Sequence, residues 1–258
     1  PFFLACGFYK PHLPWHVPRK YFDRYPLDTL TLPKVNDKDL DDVPPMGRRI
    51  AKPEGDHARV LRFDAWRAAV QGYLASISFV DNCVGRVMEA LDRSPHRDNT
   101  VVVLWSDHGW HLGEKLHWRK FALWEEATHN VLMVLAPGVT RPGSVCSEPV
   151  ISMEFYPTLL DIAGLPLKPE QHMDGVSLVP LLKESGGLDR PALYWHYPHY
   201  ANQGGFPGGA VRVGDYKLVE RFEDGRVHLY NLKDDIGERN DLAASQPERV
   251  AQMRGMLH

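Results

Sequence analysis

The sequence predicts an α/β fold in which a mixed sheet is flanked by helices and followed by a small antiparallel sheet with a final helix. Three patterns carry this prediction. Apolar residues recur at helical spacing from Trp66 to Leu91, over about seven turns. Two apolar runs, "VVVLW" at 101–105 and "VLMVL" at 131–135, are typical of strands buried on both faces. Alternating residues at 210–222 and 226–232 indicate antiparallel strands joined by Gly-containing turns.

The other segments are assigned from their composition. A short helix expected at 121–128 completes the order strand, loop, helix, strand, which suggests a doubly wound sheet. Residues 2–8 are apolar and β-prone, which predicts a further strand, and the prolines that follow impose a loop. Residues 26–60 are rich in Pro, Asp and Lys without a sustained period, which predicts an irregular surface segment. Further helices are expected at 152–164, at 175–182 and after Ser245.

The domain organisation is predicted from a change in the character of the sequence near residue 190. Residues 1–190 are expected to form the α/β core, and residues 191–258 a small C-terminal α+β subdomain. No internal repeat is present.

The composition excludes several classes of function. The chain has 258 residues, of which 43% are hydrophobic and 24% charged, and its net charge is -3, which is typical of a globular protein with a substantial core. Lys and Arg are interspersed with acids, so a nucleic-acid partner has no electrostatic support. The apolar runs are too short for a membrane span. Three widely spaced cysteines indicate free thiols rather than a disulfide framework or a zinc site.

One loop concentrates the chemistry. "SDHGWHLGEKLHWRK", residues 106–120, follows the first predicted strand of the core. Ligands collect at the carboxyl ends of strands in open α/β sheets, so Asp107 and His108 can give two ligands to one divalent cation, with Gly109 allowing the bend. For an isolated "DHG", capping of the next helix by Asp107 is an equal alternative. Lys120 lies on the returning part of the loop, where it can supply a point charge to an anion at the metal, although a lone lysine is usually a surface residue.

Four blocks of the sequence resemble the sulfatases of the alkaline phosphatase superfamily. Among the sulfatases, they are most similar to the iduronate-2-sulfatase-like group. "SDHGWHLGEKLHWRK" is similar to that group's metal and sulfate-binding segment, and "PFFLACGFYKPHLPW" to the loop that brings a histidine to the sulfate. "YLASISFVDNCVGRVMEAL" resembles the long helix between them, and "AVRVGDYKLVERF" with "HLYNLKDDIGERNDLA" resembles the C-terminal sheet. The resemblance covers almost the whole chain in the expected order, and it implies an alkaline-phosphatase-like fold.

The resemblance implies a role for five residues. Asp107 and His108 would bind a divalent cation, which is calcium in the family. Lys120 would contact the substrate sulfate, and His12 would hydrogen-bond the sulfate or the ester oxygen and could protonate the leaving group. Trp110 would form a wall of the sugar subsite or serve as a buried hydrophobic anchor.

The sequence and the resemblance also give expectations for the rest of the loop and for the cellular setting. His111, Lys115 and His117 are expected to be surface residues outside the site, and His129 a structural one. The implied partner is a sulfated sugar or another sulfate ester. The family implies a periplasmic, secreted or lysosomal setting.

The chain departs from the family in its nucleophile. Sulfatases oxidise a cysteine or serine of a C-x-P-x-R type motif to formylglycine, and none of "CGFYK", "CVGRV" and "CSEPV", at Cys6, Cys83 and Cys146, matches it. The nucleophile and two further acidic metal ligands are therefore expected upstream of residue 1, in a longer protein of which this chain is the C-terminal part. We expect the 258-residue chain alone to hydrolyse no sulfate ester.

Two other functions compete with this one. A zinc phosphodiesterase or phosphatase of the same superfamily also uses an "SDHG" turn and needs another histidine from late in the chain, for which His172, His196 and His199 are candidates. A non-catalytic carbohydrate-binding relative would keep the fold and hold a sugar on aromatic residues near the loops, with the candidates Trp15, Trp110, Trp195 and Tyr197. The "LGE" with Lys120 and the "KPH-P" loop favour sulfate.

Overall fold

The structure, a computed structural model, describes residues 2–36, 38, 41, 55–171, 174–200 and 206–258. Its α-helices are α1 Arg19–Phe22, α2 Asp56–Arg62, α3 Trp66–Asp92, α4 Glu125–Thr128, α5 Phe155–Ile162, α6 Val179–Leu182 and α7 Pro247–Leu257. Its strands are β1 Val102–Trp105, β2 His111–Leu112, β3 Trp118–Arg119, β4 Leu132–Leu135, β5 Leu193–Tyr197, β6 Gly208–Val213, β7 Tyr216–Arg221 and β8 Val227–Asn231. Single turns of 3-10 helix lie at Leu27–Thr29, Arg97–Asn99, Glu114–Leu116 and Ser152–Glu154.

The long helix α3 confirms the helical period of the sequence. Its buried side includes Val70, Ala75 and Ser76, and α1 crosses it with Tyr21, whose hydroxyl donates to Asn82 Oδ1 at 3.2 Å. The proline-rich loop before α1 lies against the same helix, because a Cβ at Gly72 would come within 3.1 Å of the Trp15 ring. The helix therefore supports the loop that carries His12.

The strands β1 and β4 pair antiparallel, with Val102 opposite Leu135 and Trp105 opposite Leu132. Among the described residues they pair only with each other. A doubly wound sheet would instead place parallel strands side by side. Burial on both faces was a wrong prediction, since Trp105, Met133 and Leu135 are exposed. An apolar run records a preference for burial, and it cannot specify which neighbour covers the face.

Two further predictions about the first 62 residues need correction. Residues 2–8 form no strand and their apolar side chains are largely exposed, because no described strand pairs with them. The segment 26–60 was predicted to be irregular, but its described end begins the helix α2. Residues 37, 39, 40 and 42–54 of that segment lie outside the described residues.

The C-terminal sheet confirms the predicted antiparallel hairpins and final helix. Its strand order is β5-β6-β7-β8, each pair antiparallel. Because side chains alternate along a strand, Val211, Leu218 and Leu229 pack on one face against Met253 of α7. The other face packs against the segment that enters α4 and is formed by these residues: Leu123, Trp124, Phe206, Ala210, Val219, Tyr230 and Leu232. The sheet is thus buried on both sides, and it lies directly behind the predicted site loop. The boundary near residue 190 stays a prediction.

A cluster of buried charges joins this sheet to α4. The Lys217 ammonium on β7 is fully buried and lies 2.9 Å from Glu125 Oε1 and 3.0 Å from Glu238 Oε1. The second oxygen of Glu238 accepts the Glu125 backbone N–H at 2.7 Å. Burial raises the pKa of Glu238, and the nearby Lys217 opposes that rise. Charges taken out of water are stable only with such complete pairing, so the cluster fixes the sheet and α4 in one arrangement.

No helix in the described ranges is both long and apolar enough to cross a membrane.

A second buried ion pair gives a test of this packing. Arg190 Nε lies 3.0 Å from Glu154 Oε1, and the Glu154 side chain is fully buried. Burial raises the pKa of this carboxyl, so Arg190→Leu leaves a carboxylate that must be desolvated without a cation beside it. We expect the free energy of unfolding at pH 7 to fall by about 3–5 kcal/mol, measured by urea denaturation.

The pH dependence of that loss separates the ion pair from packing. The difference between the variant and the unchanged protein should shrink at acidic pH, since a protonated Glu154 needs no cation. A difference that stays constant between pH 4 and pH 8 would mean that Arg190 stabilises the fold through packing alone.

Candidate functional site

The turn Asp107–Gly109 lies directly after β1 and rests against α4. The Gly109 N–H donates to the Ala127 carbonyl at 2.8 Å. A Cβ at Gly109 would lie 2.1 Å from the Glu126 carbonyl oxygen and 2.7 Å from that of His129, so the close backbone approach requires glycine. The turn is therefore placed by α4, which is itself held by the buried charges.

Asp107 and His108 point into the same space. The Nδ1 of His108 lies 2.7 Å from the Gly109 carbonyl oxygen, which can only accept, so Nδ1 carries the proton and Nε2 keeps a lone pair in the neutral ring. This Nε2 lies 3.8 Å from Asp107 Oδ2. The Asp107 side chain is 84% exposed and that of His108 is 26% exposed. The two donors fit one divalent cation between them.

Asp107 and His108 alone do not make a complete metal site. Within the ranges that the structure describes, no group of three or more His, Cys, Asp or Glu side chains converges on one point. Calcium takes six to eight oxygen ligands, so the remaining ligands would have to come from elsewhere. Of the late histidines considered for zinc, His196 lies on β5 with its ring against Phe222, and His172 lies outside the described residues.

The loop from Gly113 to Phe121 has an unusual backbone. The short strand β2, directly before this loop, pairs with β3 inside it, with His111 opposite Arg119. Four non-glycine residues lie in the left-handed region, at Lys115, Leu116, Arg119 and Phe121. Each such conformation costs energy and persists only where its surroundings hold it, and such positions cluster at functional sites.

This backbone brings Lys120 to His12. The Lys120 Nζ lies 3.1 Å from His12 Nε2, across 108 positions of sequence. The Nδ1 of His12 lies 2.9 Å from the Leu13 carbonyl oxygen, so the proton of the neutral ring is on Nδ1 and Nε2 accepts from the ammonium. Both groups are part-buried, and together they present an ammonium and an imidazole to one small space.

Trp110 lies under the predicted site residues. Its ring centroid lies 5.3 Å from that of His12 and 6.2 Å from that of His108, and the Lys120 ammonium lies 6.0 Å above it. Tyr73 of α3 stacks on the ring from behind, with centroids 6.1 Å apart. Trp110 is buried, and its indole N–H has no hydrogen-bond partner among the described residues. The predicted residues therefore share one indole platform, and their roles toward substrate stay predictions.

Three residues of the loop contradict their predicted exposure. His111, Lys115 and His117 were expected at the surface, and all three are buried. The Lys115 ammonium donates to the Glu238 carbonyl oxygen and lies over the Trp124 and Tyr230 rings. Burial is compatible with this charge because carbonyl and ring faces replace water.

The two histidines are buried as neutral rings. Their centroids lie 4.8 Å apart, and burial is the first cause of their lowered pKa values, to about 4 for His117 and well below the usual value for His111. Their positions in β2 and before β3 depend on a hairpin whose two-residue strands leave no period in the sequence. The predicted structural residue His129 has a largely exposed ring, 4.0 Å from Glu125 Oε2.

Comparison with known proteins identifies the family of the chain. The family model described as Sulfatase matches residues 1–165, and the model described as N-sulphoglucosamine sulphohydrolase, C-terminal, matches residues 113–258. The chain belongs to the sulfatase family. This confirms the resemblance, including its iduronate-2-sulfatase-like character.

Three relatives show how much of a sulfatase the chain represents. It is 38% identical over 242 residues to a sulfatase of Formosa agariphila, covering 92% of this chain and 45% of the relative. It is 35% identical over 207 residues to iduronate 2-sulfatase of Homo sapiens, covering 73% and 36%. It is 32% identical over 247 residues to choline-sulfatase of Rhizobium meliloti, covering 94% and 46%. The sulfatase chain thus spans less than half the length of these three relatives.

Solved structures confirm the fold. Phosphonate monoester hydrolase from Silicibacter pomeroyi is 26% identical with a TM-score of 0.78, covering 95% of this chain and 52% of that one. BT4656 in complex with its substrate D-glucosamine-2-N,6-O-disulfate is 23% identical with a TM-score of 0.78, covering 96% and 62%. The sulfatase chain therefore has the predicted alkaline-phosphatase-like α/β fold.

The contact between the turn and α4 can be tested with two glycines. Gly109→Ala places a Cβ against two carbonyl oxygens and should lower the free energy of unfolding by about 1–3 kcal/mol or more. Gly85→Ala, inside α3 with nothing within 4 Å of the added Cβ, should raise it by about 0.5–1 kcal/mol. Urea denaturation measures both changes. Equal effects of the two substitutions would show that the turn is not packed as described.

Proposed function

We propose that the longer protein containing this chain hydrolyses sulfate esters on sugars, and that Asp107, His108, Lys120 and His12 form part of its active site. The observation that carries the proposal is the contact of 3.1 Å between Lys120 Nζ and His12 Nε2, above the same indole that supports His108. An ammonium beside an imidazole, next to two candidate cation ligands, suits a tetrahedral anion such as the sulfate group of an ester. His12 reaches the site from a segment 108 positions away from Lys120, so the proximity of these two groups is a property of the fold.

The residues present have distinct tasks. Lys120 offers a compact positive charge to a sulfate oxygen, where negative charge is largest in the transition state. His12 donates its Nδ1–H to the Leu13 carbonyl oxygen. This hydrogen bond orients the ring so that Nε2 faces the sulfate or the ester oxygen. Asp107 and His108 would hold the divalent cation, which when bound polarises a sulfate oxygen. Trp110 excludes water beneath them.

The nucleophile lies outside this chain in our proposal. No cysteine here stands in a C-x-P-x-R motif, and Cys6 and Cys146 are exposed while Cys83 lies within α3. We place a formylglycine residue, which supplies the attacking oxygen in sulfatases, in the segment preceding residue 1. The further acidic ligands that calcium requires belong to the same segment.

The identity of the cation depends on His108. An imidazole with a free Nε2 suits zinc better than calcium, whereas the exposed carboxylate of Asp107 suits either ion. We propose calcium because the chain belongs to the sulfatases, in which histidine at this position does not prevent calcium binding. Metal analysis of the longer protein decides between the two.

A sulfated sugar is the proposed substrate. Two relatives support it by their names, iduronate 2-sulfatase of Homo sapiens at 35% identity and N-acetylglucosamine-6-O-sulfatase of Bacteroides thetaiotaomicron at 31%. The fold of BT4656, solved with a sulfated glucosamine, is consistent with it. The setting would be periplasmic, secreted or lysosomal, as the family implies.

A second candidate is hydrolysis of a phosphorus ester. The similarity to phosphonate monoester hydrolase, at 26% identity over 95% of the chain, favours considering it. Sulfate and phosphate esters share a tetrahedral shape, and the second candidate differs in the charge that the site must neutralise. Paired assays with a sulfate and a phosphate ester of the same alcohol separate the two.

Lys120→Met in the longer protein tests the proposal. Losing the ammonium should lower kcat/KM for a sulfated monosaccharide by about 10²- to 10³-fold, because charge on the transition state is left uncompensated. Lys233→Met, at an exposed turn after β8, is the matched control and should leave kcat/KM unchanged. Steady-state kinetics measure both.

The proposal would be contradicted if Lys120→Met kept full activity. It would also be wrong if the unchanged protein, with its metal bound, turned over the phosphate ester and left the matched sulfate ester intact.

A further inference from the structure

The backbone on both sides of Lys120 is strained. Arg119 has φ of 76° and Phe121 has φ of 64°, so the lysine lies between two non-glycine residues in the left-handed region. Each such conformation is unfavourable for a non-glycine residue and requires surrounding contacts to hold it. The Lys120 ammonium can bind an anion at a defined position only if the main chain of Lys120 is held in place. A contact that holds this main chain is therefore required.

His117 makes that contact. Its Nε2 lies 2.7 Å from the Lys120 carbonyl oxygen, and its side chain is 2% exposed. Because burial lowers its pKa to about 4, the ring is neutral at neutral pH and has a single N–H. The carbonyl can only accept, so the N–H is on Nε2 and points at Lys120.

The His117 ring is anchored on the side away from the site. Its backbone N–H donates to the Glu114 carbonyl at 2.9 Å, and its own carbonyl accepts from Gly113 N–H at 3.1 Å. The ring packs edge-on against His111 and Trp124, with centroids 4.8 Å and 6.2 Å away. The donor thus belongs to the buried side of the loop.

We propose that His117 is a positioning residue, which holds the Lys120 main chain so that the ammonium meets His12 at the sulfate position. Lys120 extends from this fixed carbonyl over the Phe121 and Trp110 rings to His12 Nε2 at 3.1 Å. The role of Lys120 toward sulfate rests on the proposed function. The effect of His117 on the Lys120 geometry does not.

Two variants separate the hydrogen bond from packing. His117→Gln keeps an N–H at the reach of the imidazole Nε2, whereas His117→Met fills similar volume without a donor. His111→Met is the control, because it removes the neighbouring buried ring, which makes no hydrogen bond to Lys120 in the described part of the chain. If His117→Met does not fold, His117→Asn replaces it, since its shorter amide retains an N–H that falls short of Lys120.

Crystal structures and kinetics of the longer protein give the readouts. With His117→Met, the distance between Lys120 Nζ and His12 Nε2 should exceed hydrogen-bond range, and kcat/KM for a sulfated monosaccharide should fall by about 10- to 100-fold. His117→Gln and His111→Met should keep that distance and lose less than about threefold in kcat/KM.

The proposal is overturned if His117→Met keeps the Lys120 to His12 contact, or if His117→Gln loses it equally. Failure of the proposed function gives a different result. The unchanged protein would then show no sulfatase activity that depends on Lys120, while His117→Met would still displace the lysine in the crystal.

Discussion

The buried Lys217 ammonium is the interaction on which the arrangement of the site depends. It lies on the central strand β7 of the C-terminal sheet and pairs with Glu125 at 2.9 Å and with Glu238 at 3.0 Å. Removing three charges from water is costly unless each is fully paired, so the strand, α4 and the segment after β8 have one compatible arrangement. The apolar faces of the sheet add stability, and the charges specify which surfaces meet.

Both parts of the site are connected to this cluster. Glu125 begins α4, whose Ala127 carbonyl accepts the Gly109 N–H and so places the turn that carries Asp107 and His108. The Glu238 carbonyl accepts from Lys115, which lies in the strained loop that ends at Lys120. The C-terminal sheet thus supports the turn Asp107–Gly109 and the loop that ends at Lys120 through these contacts.

The sequence predicted regular elements and local motifs better than it predicted burial. A seven-turn period located α3, alternation located β6 to β8, and the strand end before "SDHG" located Asp107 and His108. The burial of Lys115 could not be predicted, because its acceptor is 123 positions away and a cluster of charges in one loop looks solvated. Family resemblance implied that His12 and Lys120 both meet the sulfate, but their direct contact was not predicted, since no local pattern relates residues 108 positions apart. The opposite error occurred at β1 and β4, whose residues were predicted to be buried and are partly exposed. An apolar run does not identify which element covers it.

Amide hydrogen exchange in Lys217→Met tests the central claim most directly. Without the cation, Glu125 and Glu238 cannot remain charged and buried together, so the amides of Glu125 and Gly109 should exchange faster relative to those of α3. Leu218→Ala is the control, because it weakens the same strand without altering a charge and should leave the ratio between site and helix amides unchanged. If exchange at Gly109 and Glu125 in Lys217→Met keeps the same ratio to α3 as in the unchanged protein, the sheet does not hold the site through this cluster.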